Sequence, residues 1–330
     1  MIEKVNENPE IYRLPVELKG NALKVLNAYV VRSEGQCLLI DTGFNNEECK
    51  KSLLSGLWEL GLKPEDVSLF LTHFHADHIG LAEMFVREGE SRIYMGRVDY
   101  EYLAYMKHGA YIRELDALYL KEGFSKAELE EQKKDNPARN YTTAGMFPAR
   151  LLDNGDKFTV GGVDFECVEM SGHTPGHMCL YIREQQIMFL GDHILYDITP
   201  NVMDWPGIPD SLGRYLDNLN RIQSYPVRLA FPAHRGGNER SVNVRARELL
   251  RHHEKRLQEV KEILRGSAGM TACKVASNMR WSLRGAAWED APKQQKWFAM
   301  GEAKSHLTHL LFLGEIIKEE QEEFITYRLP

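Results

Sequence analysis

The sequence predicts an α/β (α+β) protein in which sheets pack between helices, and two observations carry that expectation. Strand-like and helix-like runs recur in two successive sets along the chain, and the strands of both sets run into polar loops. At 330 residues, with 43% hydrophobic and 27% charged residues, the chain is an ordinary globular protein, long enough for one large domain and a smaller one.

The first set opens with "LKVLNAYVVRS" and "CLLIDTG", both rich in Val, Leu and Ile and separated by Glu-Gly-Gln, which suits a hairpin. "NNEECKKSLLSGLWELG" places Leu53, Leu54, Leu57 and Trp58 at helical spacing and stops at Gly61. "VSLFLTHFHADH" reads as a buried strand entering a polar loop. A helix in "GLAEMFVREG" and a strand in "RIYMG" follow. Residues 97–140 turn helical and aromatic, an insertion over one end. The second set begins with a hairpin in "DKFTVGGVDFECVEM", turning at Gly161-Gly162. "MCLYI", "QQIMFLGDH" and "RLAFPAHRGG" supply three more strands, with a helix in "SLGRYLDNLNRIQSY" before the last.

Residues 241–265 predict one linking helix, with Ala246, Leu250, His253, Leu257, Val260 and Leu264 on its core-facing stripe. After Gly266–Gly269 come helix, loop, longer helix and a final strand pair, an order that resembles a small winged-helix domain over residues 266–330. That segment balances eight Lys/Arg against eight Asp/Glu, and its wing reads "KEEQEE". A wing that grips nucleic acid should be basic, so packing or a homodimer contact is the expectation. Trp281, Trp288 and Trp297 are expected to fill its core.

The net charge of −7 gives no general attraction to nucleic acid or anionic lipid. No run approaches the roughly 20 apolar residues that span a bilayer. The start, "MIEKVNENPEIYRLP", is acidic and polar where a signal peptide would be apolar. Cys37, Cys49, Cys167, Cys179 and Cys273 are odd in number and form no CxxC pair, as in a reduced, cytoplasmic protein.

The strongest chemical signal is "THFHADHIG". His73 and His75 are two apart, so an extended segment sends both imidazoles to one side, and Asp77 and His78 follow one turn later. Neutral nitrogens and a hard carboxylate suit zinc, and also iron or manganese. Three later strand ends add donors. "SGHTPGH" holds His173 and His177, "FLGDH" places Asp192 past a buried strand, and "FPAHRGG" does the same for His234. A buried carboxylate such as Asp192 is costly without a cation.

In that order, "HFHADH", "GHTPGH", "GDH" and "PAH" resemble the metallo-β-lactamase superfamily of hydrolases. The resemblance covers about residues 10–240, so residues 1–240 are expected to be the catalytic domain. It implies an αββα sandwich with metals at one end of the sheets. By motif, His73, His75 and His173 would bind the first of two divalent metal ions. Asp77, His78 and His234 would bind the second, with Asp192 bridging. In branches sharing GHTxGH the first histidine is the ligand, which leaves His177 as an outer partner. "LIDTG" implies that Asp41 orients a ligand imidazole from beneath.

Such a pair of ions, about 3.5–4 Å apart, shares a water and lowers its pKa towards neutrality, so that a hydroxide attacks the substrate. Asp77 and Asp192 then have catalytic as well as ligating parts, Asp77 as a proton acceptor. The small-molecule substrate implied is an ester, thioester or lactone. A metal-dependent phosphodiesterase or endoribonuclease is the alternative, because a superfamily domain followed by a winged-helix-like module also resembles a branch holding both an endoribonuclease and fungal thioesterases. Substrate contacts are expected from Tyr196 as an oxyanion donor, Trp205 in a rigid loop at the mouth, and Arg235 for an anionic group. Tyr100, Tyr102, Tyr105, Tyr111 and Tyr119 of the insertion either cover an apolar substrate or pack the insertion down.

Overall fold

The computed structural model describes residues 1–87, 92–134, 140–236, 240–282 and 288–330. A seven-stranded sheet runs in sequence order through β1 (Glu3–Glu7), β2 (Glu10–Leu18), β3 (Lys24–Ser33), β4 (Gln36–Ile40), β5 (Val67–Leu71), β6 (Ile93–Gly96) and β7 (Arg150–Leu152). It is antiparallel up to β4 and parallel from there on. A second sheet has β8 (Lys157–Val160), β9 (Val163–Glu169), β10 (Met178–Ile182), β11 (Ile187–Gly191) and β12 (Leu229–Pro232) in the order β12-β11-β10-β9-β8.

Alternation along the strands explains why two sheets face each other beneath helices. In β3, Leu26, Ala28 and Val30 point to the layer under α1 (Glu47–Glu59), while Tyr29 and Val31 point to the core between the sheets. A strand apolar on both faces needs cover on both. Phe70, Phe158, Phe165, Phe189 and Phe231 fill that central layer. The outer face of the second sheet is covered by α6 (Ser211–Arg221) and α7 (Val242–Leu264).

Local signals set the turns. Glu34 and Gly35 both take positive φ, 46° and 74°, which closes the two-residue β3–β4 hairpin. Asn46 caps α1 by accepting from Cys49 N. Three strands, β1, β2 and the three-residue β7, and several element limits depart from the sequence reading. β1 has Val5 as its single apolar residue and β2 carries Pro15, so neither reads as a strand. Pro15 is tolerated because β1 pairs β2 only from Glu10 to Arg13. Beyond that register Ser52 of α1 serves the edge, donating to Pro15 O and accepting from Glu17 N. The expected helix in residues 80–89 is reduced to a single 3-10 turn, Ala82–Phe85, and part of that stretch lies outside the described residues.

The insertion folds as α3 (Arg97–Lys107), α4 (Gly109–Lys121) and α5 (Lys126–Lys134), and its residues 135–139 lie outside the described residues. On α7 the buried stripe is Val242, Ala246, Leu249, His253, Arg256, Val260 and Leu264. Leu250 and Leu257 are only half-buried, at a groove shared with Leu216 and Leu310. After α7 come α8 (Ala272–Asn278), α9 (Lys293–Phe312) and the antiparallel pair β13 (Ile317–Glu320) and β14 (Ile325–Arg328). Trp297 is buried in the core of this segment, with Trp281 and Trp288 packed against it. That core also takes in Tyr119, Phe124 and Leu129, so the insertion and the C-terminal elements pack as one body. All five cysteines are free thiols, four of them buried. Among the described residues no helix is long and apolar enough to cross a membrane.

Candidate metal centre

Loops at one end of the two sheets bring seven side chains together. β5 ends at Leu71, and His73 and His75 lie in the loop that follows, with His75 extended just before α2 (Ala76–Ile79) begins. That short helix puts Asp77 and His78 in its single turn, one step past the histidine pair. His173 lies between β9 and β10, Asp192 directly follows β11, and His234 follows β12.

Their donor atoms form two groups, each within 4.8 Å: His73, His75, His173 and Asp192, and Asp77, His78 and His234. His75 Nδ1 is 3.0 Å from both His73 Nε2 and His173 Nε2. Asp192 faces both groups. Its Oδ2 lies 3.6 Å from His173 Nε2, and its Oδ1 lies 3.8 Å from His78 Nε2 and 3.5 Å from His234 Nε2. Asp77 Oδ2 completes the second group, 3.3 Å from His234 Nε2.

Most imidazoles are oriented from behind. His78 Nδ1 is 2.8 Å from Asp41 Oδ2, His173 Nδ1 is 2.7 Å from Asn201 O, and His234 Nδ1 is 2.9 Å from Val25 O. An Nδ1–H donated outward leaves the Nε2 lone pair facing the centre. Asp41 also accepts from Thr72 N and Thr72 Oγ1, which in turn meets His73 Nδ1 at 3.0 Å.

Electrostatics separates the groups. Burial, reinforced by neighbouring imidazoles, pushes His75 down to about 3 and holds His73 well below the usual histidine range. Burial also takes His173 down to about 4. These three are neutral donors. Burial opposes charge on His78 too, but Asp41, Asp77 and Asp192 outweigh it and raise it to about 9. His234 is raised in the same way by Asp192 and Asp77. The second group therefore calls for positive charge. His78 Nε2, His234 Nε2 and Asp192 Oδ1 are buried and have no hydrogen-bond partner. Buried polar atoms left unpaired cost free energy, and a shared cation satisfies all three. The donor set fits a pair of divalent ions.

His177 stands behind this set. Its Nε2 accepts from Asp192 N at 3.0 Å, and its ring lies 5.1 Å from that of His73. Gly191 makes this possible: a Cβ there would sit 2.5 Å from His177 Nε2, and its φ is +51°. Trp205 is 7% exposed, donates from Nε1 to His173 O at 3.1 Å, and lies 6.0 Å from the His75 ring. Tyr196 and Arg235 are not brought to the cluster. Tyr196 is 2% exposed in the apolar layer under α7, with Val202, Tyr215 and Ala246, because the chain after Asp192 turns into that layer. Arg235, at φ 64°, donates to Ala22 O at 2.7 Å, which joins it to the loop before β3. The insertion tyrosines mostly pack: Tyr102 bonds Pro206 O, Tyr100 bonds Phe147 O, and Tyr119 is buried against Trp297.

One residue has no counterpart in the sequence reading. Asp99, in the first turn of α3, is fully buried and accepts from Phe74 N, Thr174 Oγ1 and Gly176 N, at 3.2, 2.6 and 2.6 Å. It ties the His73–His75 loop to the turn after His173. Burial, opposed by these donors, raises its carboxyl to about 7. Gly176 permits the contact, since a Cβ there would lie 2.7 Å from Asp99 N.

Comparison with known proteins bears on this centre. The model of the metallo-beta-lactamase superfamily matches residues 24–234. An atrochrysone carboxyl ACP thioesterase of Aspergillus aculeatus is 27% identical over 231 residues, 69% of this chain and 56% of that protein. An acyl-coenzyme A thioesterase of Gallus gallus is 26% identical over 189 residues, 54% of this chain and 60% of that one. The chain thus spans little more than half the length of these curated relatives. A metallo-beta-lactamase family protein from Thermus thermophilus, of solved structure, is 26% identical with a TM-score of 0.82, covering 97% of this chain and 98% of that one.

Proposed function

The chain belongs to the metallo-β-lactamase superfamily, and from that premise we propose that it is a dinuclear metal-dependent hydrolase of acyl thioesters. The observation that carries the dinuclear reading is Asp192, whose two oxygens face two separate groups of donors. His73, His75 and His173 would hold one ion, and Asp77, His78 and His234 the other, with Asp192 between them. Zinc suits these donors, and iron and manganese share them. When bound, two divalent cations supply Lewis-acid polarisation of a carbonyl and acidification of a shared water.

The chain's own groups supply the rest. Asp41, Asn201 and Val25 fix the imidazole orientations. Asp77 keeps its side chain 12% exposed, which supports a second task as acceptor of the attacking water's proton. Trp205, beside His75 and His173, offers an apolar wall to an acyl group. The thioester is favoured because two relatives are named as thioesterases, one for an acyl carrier protein and one for acyl-coenzyme A.

One substrate panel tests the reading: acyl thioesters and lactones against single-stranded RNA and bis-p-nitrophenyl phosphate. Turnover of thioesters, abolished by a chelator and restored by Zn2+, is the expected result. Chelator-sensitive cleavage of RNA or the phosphodiester, with no acyl hydrolysis, would reverse it.

A further inference from the structure

His173 is held from a distance. Its two backbone-side contacts, Nδ1 to Asn201 O at 2.7 Å and O from Trp205 Nε1 at 3.1 Å, both come from the segment of residues 201–210 between β11 and α6. That segment has little regular structure of its own, and α9 runs along it. Asn201 Nδ2 donates to Glu302 Oε2 at 3.3 Å, and Ser305 Oγ donates to Val202 O at 2.7 Å. Lys304 Nζ meets Asp204 at 2.6 Å and Glu122 at 3.7 Å, and His309 Nδ1 meets Asp210 at 2.9 Å. Residues 301, 305 and 309 recur at four-residue steps, so one helical face follows the segment from end to end. Gly301 keeps the two elements close: a Cβ there would lie 2.6 Å from Met203 Cε, which would have to move aside.

We propose that α9 is a positioning element of the metal centre, in which Lys304 and Ser305 hold residues 201–210 so that Asn201 and Trp205 fix His173. The inference rests on the dinuclear reading above. It assigns the C-terminal segment a part in the site, through a ligand about 130 residues earlier in the chain. Its effect is confined to the first group, because the backing of His78 and His234 comes from Asp41 and Val25. Loss of an outer partner typically weakens metal binding 10–100-fold. Lys304 and Ser305 act one step further out, so roughly tenfold is expected, the low end of that range.

The test measures Zn2+ affinity by chelator competition in two full-length backgrounds, with circular dichroism confirming the fold. His234→Ala leaves the first group able to bind alone, and His173→Ala leaves the second. Ser305→Ala should weaken Zn2+ binding about tenfold in the first background and leave the second unchanged. Lys304→Met should act in the same direction. It also strands Asp204 and Glu122 without their cation, so if it fails to fold, Ser305→Ala decides. Equal losses in both backgrounds, or none in either, would overturn the proposal. Absence of Zn2+ binding in the unsubstituted chain would instead sink the metal-centre reading, a separate result.

Discussion

Replacing His173 by Ala should remove the first ion and lower thioester turnover by about 10³-fold, beyond the 10–100-fold cost of losing an outer partner. His177→Ala should keep measurable metal and activity. The motif "SGHTPGH" puts these histidines four residues apart, yet they do different work. His173 Nε2 points at His75 Nδ1 and Asp192 Oδ2, among the donors of the first group. His177 spends its Nε2 on the Asp192 backbone N–H, so no lone pair is left there for a cation. Removing it leaves a buried N–H unpaired, worth about 1–3 kcal/mol, and loosens Asp192 without deleting a ligand. Zinc content and turnover of the two purified variants make the comparison. The opposite order would mean that His177 carries the metal.

Asp192→Asn is the second large effect. The amide preserves size, but it has one oxygen where the carboxylate has two, and it carries no charge. One of the two groups must then face an NH2, and the negative charge between two cations is gone. Losing roughly 4 kcal/mol of stabilisation corresponds to about 10³-fold in turnover. The first ion should be the weaker-held one in this variant, since Asp192 is the only carboxylate among its donors whereas the second group keeps Asp77. Turnover at saturating Zn2+ checks this. Near-normal rates would show that Asp192 does not sit between two working ions.

The candidate ligands were legible because metal binding restricts residue type, and seven His and Asp positions at strand ends satisfy that restriction in a fixed order. Asp41 was legible only through the superfamily resemblance of "LIDTG". Support that runs through backbone atoms leaves no such trace: Asn201 and Val25 act through carbonyls that any residue would offer. Asp99 carries no motif, and only tertiary folding brings it to Phe74, Thr174 and Gly176. Tyr196 and Arg235 show the converse limit. Both follow a candidate ligand closely in sequence, but neither a residue's neighbour nor its chemistry fixes where its side chain turns. In the fold, short apolar runs disclosed β3 to β6 and β8 to β12. They could not disclose β2, whose Pro15 is accommodated by an α1 serine.

Anomalous diffraction from crystals of the chain grown with Zn2+ would locate the ions among these seven side chains. Two peaks per chain are expected, one among His73, His75 and His173 and one among Asp77, His78 and His234, with Asp192 contacting both. A single peak, or none, in a site with all seven side chains ordered would contradict a dinuclear centre.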